Sequence, residues 1–226
     1  MTENDGTHTN KPRESWRVTV IVPTLNEVDN IDLLLKAILD QSGPVADLEV
    51  LVADGGSTDG TVDRVRAWES RAPVRLVAGA GRRGLAGDVL AAARIATSEV
   101  VVVMDADFSH PPESIAALVR PVVEGRQDMA IGSRYVAGGG TPGWPAWRRF
   151  LSRCASAMAW PLTDVKDPMS GFFAVRRDRL LSIDPAAAGF KIALEVLAAA
   201  GDPLRDRKST RLNSSHIQKS RMPSSA

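Results

Sequence analysis

Val100-Val-Val-Val-Met-Asp-Ala-Asp107 is the stretch that decides the fold. Five apolar residues in succession, four of them valine, suit a short strand covered on both faces, the kind found inside a parallel sheet. Two carboxylates follow at once. Ligands of open parallel sheets bind beyond the carboxyl ends of the strands, so Asp105 and Asp107 stand where chemistry is expected.

The same grammar runs in both directions from this stretch. Upstream, Trp16 to Val22 reads as a strand ending at Pro23, followed by the loop Thr24-Leu-Asn-Glu27. Asn30 is placed to cap a helix in which Ile31, Leu34, Leu35, Ile38 and Leu39 recur at helical spacing as far as Gly43-Pro44. Leu48 to Ala53 is a second strand that runs into Asp54-Gly-Gly-Ser-Thr-Asp59-Gly60. A helix over Thr61 to Glu69, a strand over Val74 to Ala78, a glycine- and arginine-rich connection from Gly79 to Gly87 and a helix from Asp88 to Ala96 complete that half. Downstream, Pro111-Pro-Glu113 starts a helix over Ser114 to Val123, and Met129 to Gly132 is a strand. Gly138 to Gly143 is a turn-rich segment leading to a helix over Trp147 to Trp160, whose Phe150, Leu151, Cys154, Ala157 and Met158 pack on the core or touch lipid. Phe172 to Val175 is a strand, and helices follow up to Phe190 to Ala200. Strand, loop and helix in this alternation predict an α/β fold: a Rossmann-like, mostly parallel central sheet flanked by helices.

Composition narrows the function classes. With 226 residues the chain suits one domain with a sizeable core, and 44% apolar against 24% charged residues excludes a collagen, a coiled coil or a wholly disordered chain. A formal charge of +1 removes the general basic field of a nonspecific nucleic-acid binder. That average conceals an uneven end: residues 201–226 hold six Lys and Arg against two Asp, a net of +4. The pattern of folded elements stops near Gly201, so the expected organisation is a disordered leader over 1–15, a folded domain over 16–200 and a disordered basic tail over 201–226. The lone cysteine, Cys154, cannot form an internal disulfide. The chain opens on a polar stretch from Thr2 to Glu14 in place of a signal peptide, and no uninterrupted apolar run reaches the roughly 18 residues of a membrane span.

Two carboxylates one residue apart at a strand end can turn together into a loop and share a divalent cation. Their oxygens suit Mg²⁺ or Mn²⁺, which would neutralise a diphosphate leaving group. Asp54 ends another strand and precedes two glycines, which allows a backbone to approach a base or ribose while the carboxylate accepts their hydrogen bonds; the alternative is that it caps the turn. Glu27 lies beyond the first strand, beside the nucleoside or on the surface. Asp59 is read as a turn or helix-start residue. Arg134 and Arg149 are candidates for a diphosphate or an acceptor phosphate through their planar donor arrays. His110 shapes the loop after the aspartates; the histidines have no zinc spacing. Gly81-Arg-Arg-Gly84 lacks the Gly-x-x-x-x-Gly-Lys-Ser/Thr pattern, which argues against a P-loop hydrolase, and no Gly-x-Ser-x-Gly elbow supports a serine hydrolase.

Six stretches together carry a resemblance: Val22-Pro-Thr-Leu-Asn-Glu27, Val52-Ala-Asp-Gly-Gly-Ser-Thr-Asp-Gly-Thr61, Met104-Asp-Ala-Asp-Phe-Ser-His-Pro-Pro-Glu113, Gly132-Ser-Arg-Tyr-Val-Ala-Gly-Gly139, Asp167-Pro-Met-Ser-Gly-Phe-Phe173 and Gly189-Phe-Lys-Ile-Ala-Leu-Glu-Val-Leu197. Over residues 17–200 the chain resembles the inverting glycosyltransferases of family 2, with the GT-A nucleotide-diphospho-sugar transferase fold, and within them the dolichol-phosphate and polyprenol-phosphate mannose synthases. The resemblance implies transfer of mannose from GDP-mannose to dolichyl or polyprenyl phosphate, peripherally at the cytoplasmic face of a membrane. A separate membrane anchor protein is a further implied partner. It places Pro23, Glu27 and Asp54 around the nucleoside, Asp105 and Asp107 at a Mg²⁺ or Mn²⁺ ion, and Arg134 and Arg149 near the phosphates. Ser152 joins the phosphate side and Lys191 the acceptor side.

Departures accompany it. Gly55 occupies the second position of an Asp-Asp pair common in these enzymes, and Ser109 stands where some members carry a longer glutamine. Such enzymes continue past the Leu-Glu-Val-Leu helix with a further strand and an Arg-containing Gly-x-Ser-Lys loop. Here Arg207-Lys-Ser-Thr-Arg-Leu-Asn-Ser-Ser-His216 and the residues after it are similar to tails translated from sequencing adapters, so the expectation is a domain cut short and followed by a non-native tail. Two other functions fit the same motifs: glucose transfer from UDP-glucose to the same acceptors, and nucleotide-sugar binding without catalysis.

Overall fold

The computed structural model describes residues 16–42, 47–79, 84–132, 170–183 and 192–199. The expected leader, the tail, the turn-rich segment 138–143 and the helix over 147–160 lie outside the described residues. Six strands form one sheet in the order β3-β2-β1-β4-β6-β5: β1 (Arg17–Thr24), β2 (Asp47–Asp54), β3 (Val74–Ala78), β4 (Val100–Val103), β5 (Met129–Ile131) and β6 (Phe173–Arg176). The first four in that order run parallel, with β1 paired to both β2 and β4. Only β6 is reversed, antiparallel to β4 on one side and to β5 on the other.

Alternate residues of each strand feed two separate cores. Val18, Val20, Val22, Val50, Val52, Val102 and Met104 pack with the buried faces of α1 (Ile31–Leu39), α2 (Thr61–Glu69) and α4 (Ile115–Val123). Ile21, Leu51, Ala53, Val101, Val103 and Phe173 pack with α3 (Gly84–Ile95), α5 (Arg177–Leu181) and α6 (Ile192–Ala199). Coverage of both faces explains why the strands read as unbroken apolar runs. One polar exception is satisfied internally: the buried Thr19 and Ser98 hydroxyls share a hydrogen bond of 2.6 Å.

Local boundaries differ from the sequence pattern for identifiable reasons. β1 continues through Pro23, which pairs with Ala53 of β2. Ile21 O accepts from Met104 N, whereas Thr24 O accepts from Gly55 N. Pro23, two residues after Ile21, therefore turns its nitrogen toward β4, where that strand has ended and no N–H is required. Asn30 precedes α1 but makes no side-chain cap; its Nδ2 donates instead to Glu27 Oε2 at 2.9 Å. α3 starts at Gly84, four residues earlier than the glycine-rich run suggests. Ala86, Val89, Leu90 and Ala93 are buried at helical spacing, and that packing outweighs the low helix propensity of glycine.

The two cores make a simple contrast testable. Ile21 is fully buried, and Ile21→Ala is expected to cost about 2–5 kcal/mol through lost burial and a cavity. Leu33 on α1 is 62% exposed, and Leu33→Ala is expected to change stability by no more than about 0.5 kcal/mol. Urea unfolding of both variants measures the difference.

Candidate active site

Parallel strands deliver their carboxyl ends to one edge, so the loops after β1, β2 and β4 meet there. The chain moves outward from β1 through β2 to β3, then returns through α3 to β4 on the other side of β1. The crevice at that reversal, between β1 and β4, is the usual ligand position of such sheets.

The loops after β1 and β2 are stitched together by hydrogen bonds between residues about thirty positions apart. Asn26, in the left-handed region at φ 59°, receives Thr58 N on its Oδ1 at 2.9 Å and donates its own N–H to Ser57 Oγ at 2.8 Å. Glu27 N donates to Thr61 Oγ1 at 2.9 Å, and Val28 N donates to Asp59 Oδ2 at 3.0 Å. Asp59 Oδ1 also accepts from Thr61 N at 3.0 Å and from the Thr61 hydroxyl at 2.6 Å. The Thr61 hydroxyl holds the Asp59 carboxyl below its ordinary value of 3.8, chiefly by hydrogen bonding to the charged form. Glu27 is half-buried in this seam.

Asp54 is 1% exposed, and its carboxylate is occupied by its own chain. Oδ1 accepts from Gly56 N and Ser57 N, each at 2.9 Å, while Oδ2 accepts from Thr24 Oγ1 at 3.0 Å and Ser57 Oγ at 2.5 Å. The sequence pattern assigned this carboxylate to a base or ribose, with turn capping as the alternative. In the structure its oxygens accept from these four internal donors, the turn-capping arrangement, which fixes the loop that follows β2. Thr24 pairs with Asp54 across the strands, and Pro23 pairs with Ala53 just before it.

Past β4 the chain alternates: Asp105 is half-buried, Ala106 is buried at 4% exposure and Asp107 is exposed. Ala106 packs in the core with Met104 and anchors the turn between the two aspartates. Ser109 N donates to Asp107 Oδ1 at 2.9 Å, and the Ser109 hydroxyl donates to the same oxygen. Oδ2 of Asp107 has no partner among the described residues. Phe108 holds a left-handed φ of 55° between them. Ser109, at the position of a longer side chain in some similar enzymes, thus orients an aspartate.

A second segment, not singled out by residue type, completes this corner. A Cβ on Gly171 would overlap the Asp105 carboxylate, so only glycine lets the two approach. Ser170 Oγ donates to Gly132 O at 2.7 Å and accepts from Phe172 N at 3.2 Å, and Phe172 O accepts from Gly132 N at 2.8 Å. The Phe172 ring stacks on buried His110, centroids 5.1 Å apart. These contacts join positions between 38 and 66 residues apart, and the only sequence signal was the compact Met-Ser-Gly-Phe-Phe string itself. Arg134, Arg149, Ser152 and Lys191 lie outside the described residues.

The residues present fit a divalent cation in one specific way. Asp105 and Asp107 supply hard oxygen ligands, and among the described residues no group of three His, Cys, Asp or Glu encloses a site. A two-carboxylate set completed by substrate phosphate oxygens and water is the usual habit of Mg²⁺ and Mn²⁺.

Two measurements probe this architecture. Ser170→Ala leaves buried partners without their hydroxyl and is expected to lower stability by about 1–3 kcal/mol in urea unfolding. Because the folded Asp59 carboxyl is lowered, its stabilising contribution is complete above the ordinary carboxylate value and is lost as pH falls through the lowered one. The stability gap between wild type and Asp59→Asn is therefore expected to be larger at neutral than at strongly acid pH.

The geometry is matched by known proteins. The family model described as Glycosyl transferase family 2 matches residues 19–182. The dolichol-phosphate mannosyltransferase of Pyrococcus furiosus is 38% identical over 185 residues, covering 80% of this chain and 52% of the archaeal protein. That of Saccharomyces cerevisiae is 37% identical over 191 residues, covering 81% and 71%. The chain thus spans about half the length of the archaeal relative. Among solved structures, glucosyl-3-phosphoglycerate synthase from Mycobacterium tuberculosis in complex with Mn²⁺, UDP-glucose and glycerol 3-phosphate is similar with a TM-score of 0.61 at 25% identity, covering 84% of this chain and 66% of that one. A parallel sheet with its acids gathered at one edge, and a family match through every described strand, place the chain in glycosyl transferase family 2.

Proposed function

We propose that this domain transfers mannose from GDP-mannose to the phosphate of a dolichyl or polyprenyl phosphate, with inversion at the anomeric carbon. The observation that carries this reading is the Asp105-Ala106-Asp107 turn at the end of β4, beside the sheet's reversal point, in a chain 38% identical to a dolichol-phosphate mannosyltransferase. The polyprenol monophosphomannose synthase of Mycolicibacterium smegmatis, 37% identical over 193 residues, supports the same acceptor class.

Each residue has a distinct task in this reaction. Pro23 and Glu27 border the nucleoside, and Asp54 fixes the loop 55–57 against which it rests. Asp105 and Asp107 hold the divalent ion, with Ser109 orienting Asp107 and Gly171 allowing Asp105 its position. When bound, that ion neutralises the charge that builds on the departing nucleoside diphosphate. Arg134, Arg149 and Ser152 are assigned to the phosphates and Lys191 to the acceptor side. The acceptor phosphate is already anionic, so attack on the sugar carbon needs no strong base, and rate enhancement comes from alignment and charge complementarity. A lipid acceptor places the reaction at a membrane surface, which we assign to the cytoplasmic face. No helix among the described residues is long and apolar enough to cross a membrane.

Incubation with labelled GDP-mannose or UDP-glucose, polyprenyl phosphate and Mg²⁺ or Mn²⁺ tests the assignment. Mannosyl lipid is the expected product; preference for UDP-glucose would reject the donor, and donor binding without transfer would favour a binding protein. Asp107→Ala is expected to reduce transfer by at least about 10²-fold while the unfolding free energy moves by no more than about 0.5 kcal/mol.

A further inference from the structure

Glu27 is fixed by its own chain at three of its four hydrogen-bonding points: the N–H, the carbonyl and one carboxylate oxygen. Its N–H donates to Thr61 Oγ1 at 2.9 Å, and its carbonyl accepts from Asn30 N at 3.0 Å and Ile31 N at 2.9 Å. Its Oε2 accepts from Asn30 Nδ2 at 2.9 Å. Oε1 alone receives no hydrogen bond among the described residues. The anchors are themselves held. Thr61 is fully buried, and its hydroxyl donates to Asp59 Oδ1 at 2.6 Å, which leaves an oxygen lone pair for Glu27 N. Ile31 is fully buried in the core beneath α1.

Asn30 stands where a helix cap is expected, yet it does not act as one. Its backbone is already helical at φ −103° and ψ −31°, and its side chain makes no cap bond to the first turn of α1. Its own N–H and that of Ile31 go to Glu27 O. The Asn30 amide is directed instead to the Glu27 carboxylate, three residues back. An amide donates without carrying charge. A lysine or arginine there could hold Glu27 as well, but it would cancel the charge that attracts a ligand's N–H or O–H group.

We propose that Asn30 is a positioning residue for the donor nucleotide: it holds Glu27 Oε2, so that Oε1 accepts from the nucleoside without first having to be ordered. The inference rests on the nucleotide-sugar reading above and names a residue that acts on that site through another. Glutamate turns about several side-chain bonds, and a ligand that must order them loses affinity by that entropy. Ordering Glu27 beforehand shifts the loss to folding. Capping and positioning make different demands on residue 30. Serine and aspartate start helices as well as asparagine does, but a serine hydroxyl stops one atom short of Glu27 and an aspartate would repel it.

Calorimetric titration of the full chain in the presence of Mn²⁺ tests this, with whichever of GDP and UDP the wild type binds more tightly. Asn30→Ser is expected to weaken that nucleotide about 5- to 10-fold, and Asn30→Asp by more, while the urea unfolding midpoint of Asn30→Ser stays at the wild-type value. Glu27→Ala is expected to weaken it at least about tenfold. Adding Asn30→Ser to Glu27→Ala is expected to change affinity by less than about twofold, because the group through which Asn30 acts has gone. A wild type that binds neither nucleotide rejects the proposed function itself. Unchanged affinity in Asn30→Ser or in Glu27→Ala, or a loss from Asn30→Ser that is equally large with and without Glu27, overturns the positioning role alone. Should Asn30→Ser not fold, Asn30→Asp is carried through the same cycle and decides by the same outcomes.

Discussion

Parallel pairing of β1 with neighbours on both sides is the constraint from which the rest of the molecule follows. Parallel strands cannot be joined by a tight turn, so each return passes through a crossover that covers a face of the sheet. α1 and α2 cover one face and α3 the other, which excludes water from the strands on both sides. Polar chemistry is thereby expelled from the body of the fold and collected where the strands run out.

Acids collected at that edge are differentiated by their donors. Asp54 is buried and receives four hydrogen bonds from its own chain, which offsets the desolvation of its charge and makes it a loop organiser. Asp59 does similar work from an exposed position, closing the seam between two loops. Asp107 gives one oxygen to Ser109 and retains the other, and Asp105 is kept in place by a backbone with no side chain. Residue type alone is the same in all four cases; the internal donors to Asp54 and Asp59 are what make those two loop organisers.

This distinction explains what was legible in the chain and what was not. The valine run, the amphipathic spacing of α1 and the one-residue separation of Asp105 and Asp107 are local patterns, and each corresponds to a local feature of the fold. Pro23 reads as a strand end by its own chemistry, yet it sits in β1 because the neighbour on its nitrogen side has stopped, a fact belonging to β4. Asn30 looks like a cap, but its backbone is already in the helical region and its Nδ2 donates to Glu27. The turn that Asp54 caps is local, but one of its four donors is Thr24, thirty positions away. Gly171 matters through its close approach to Asp105, and no periodicity encodes a distance between remote loops.

The reversal of β6 has an evolutionary consequence. β5 runs in the direction of β4 and finishes at the ligand edge, and β6, running the opposite way, begins at that same edge. Gly132 and Phe172 are bonded to each other there, with Ser170 as a clasp, so everything between them leaves and re-enters through one closed neck. The sheet register is indifferent to what the neck carries. Lengthening or replacing the carried segment adds only slowly to the entropy of closing it. Such a neck is an insertion port: the segment it carries can be exchanged for another while the sheet and both of its cores stay as they are.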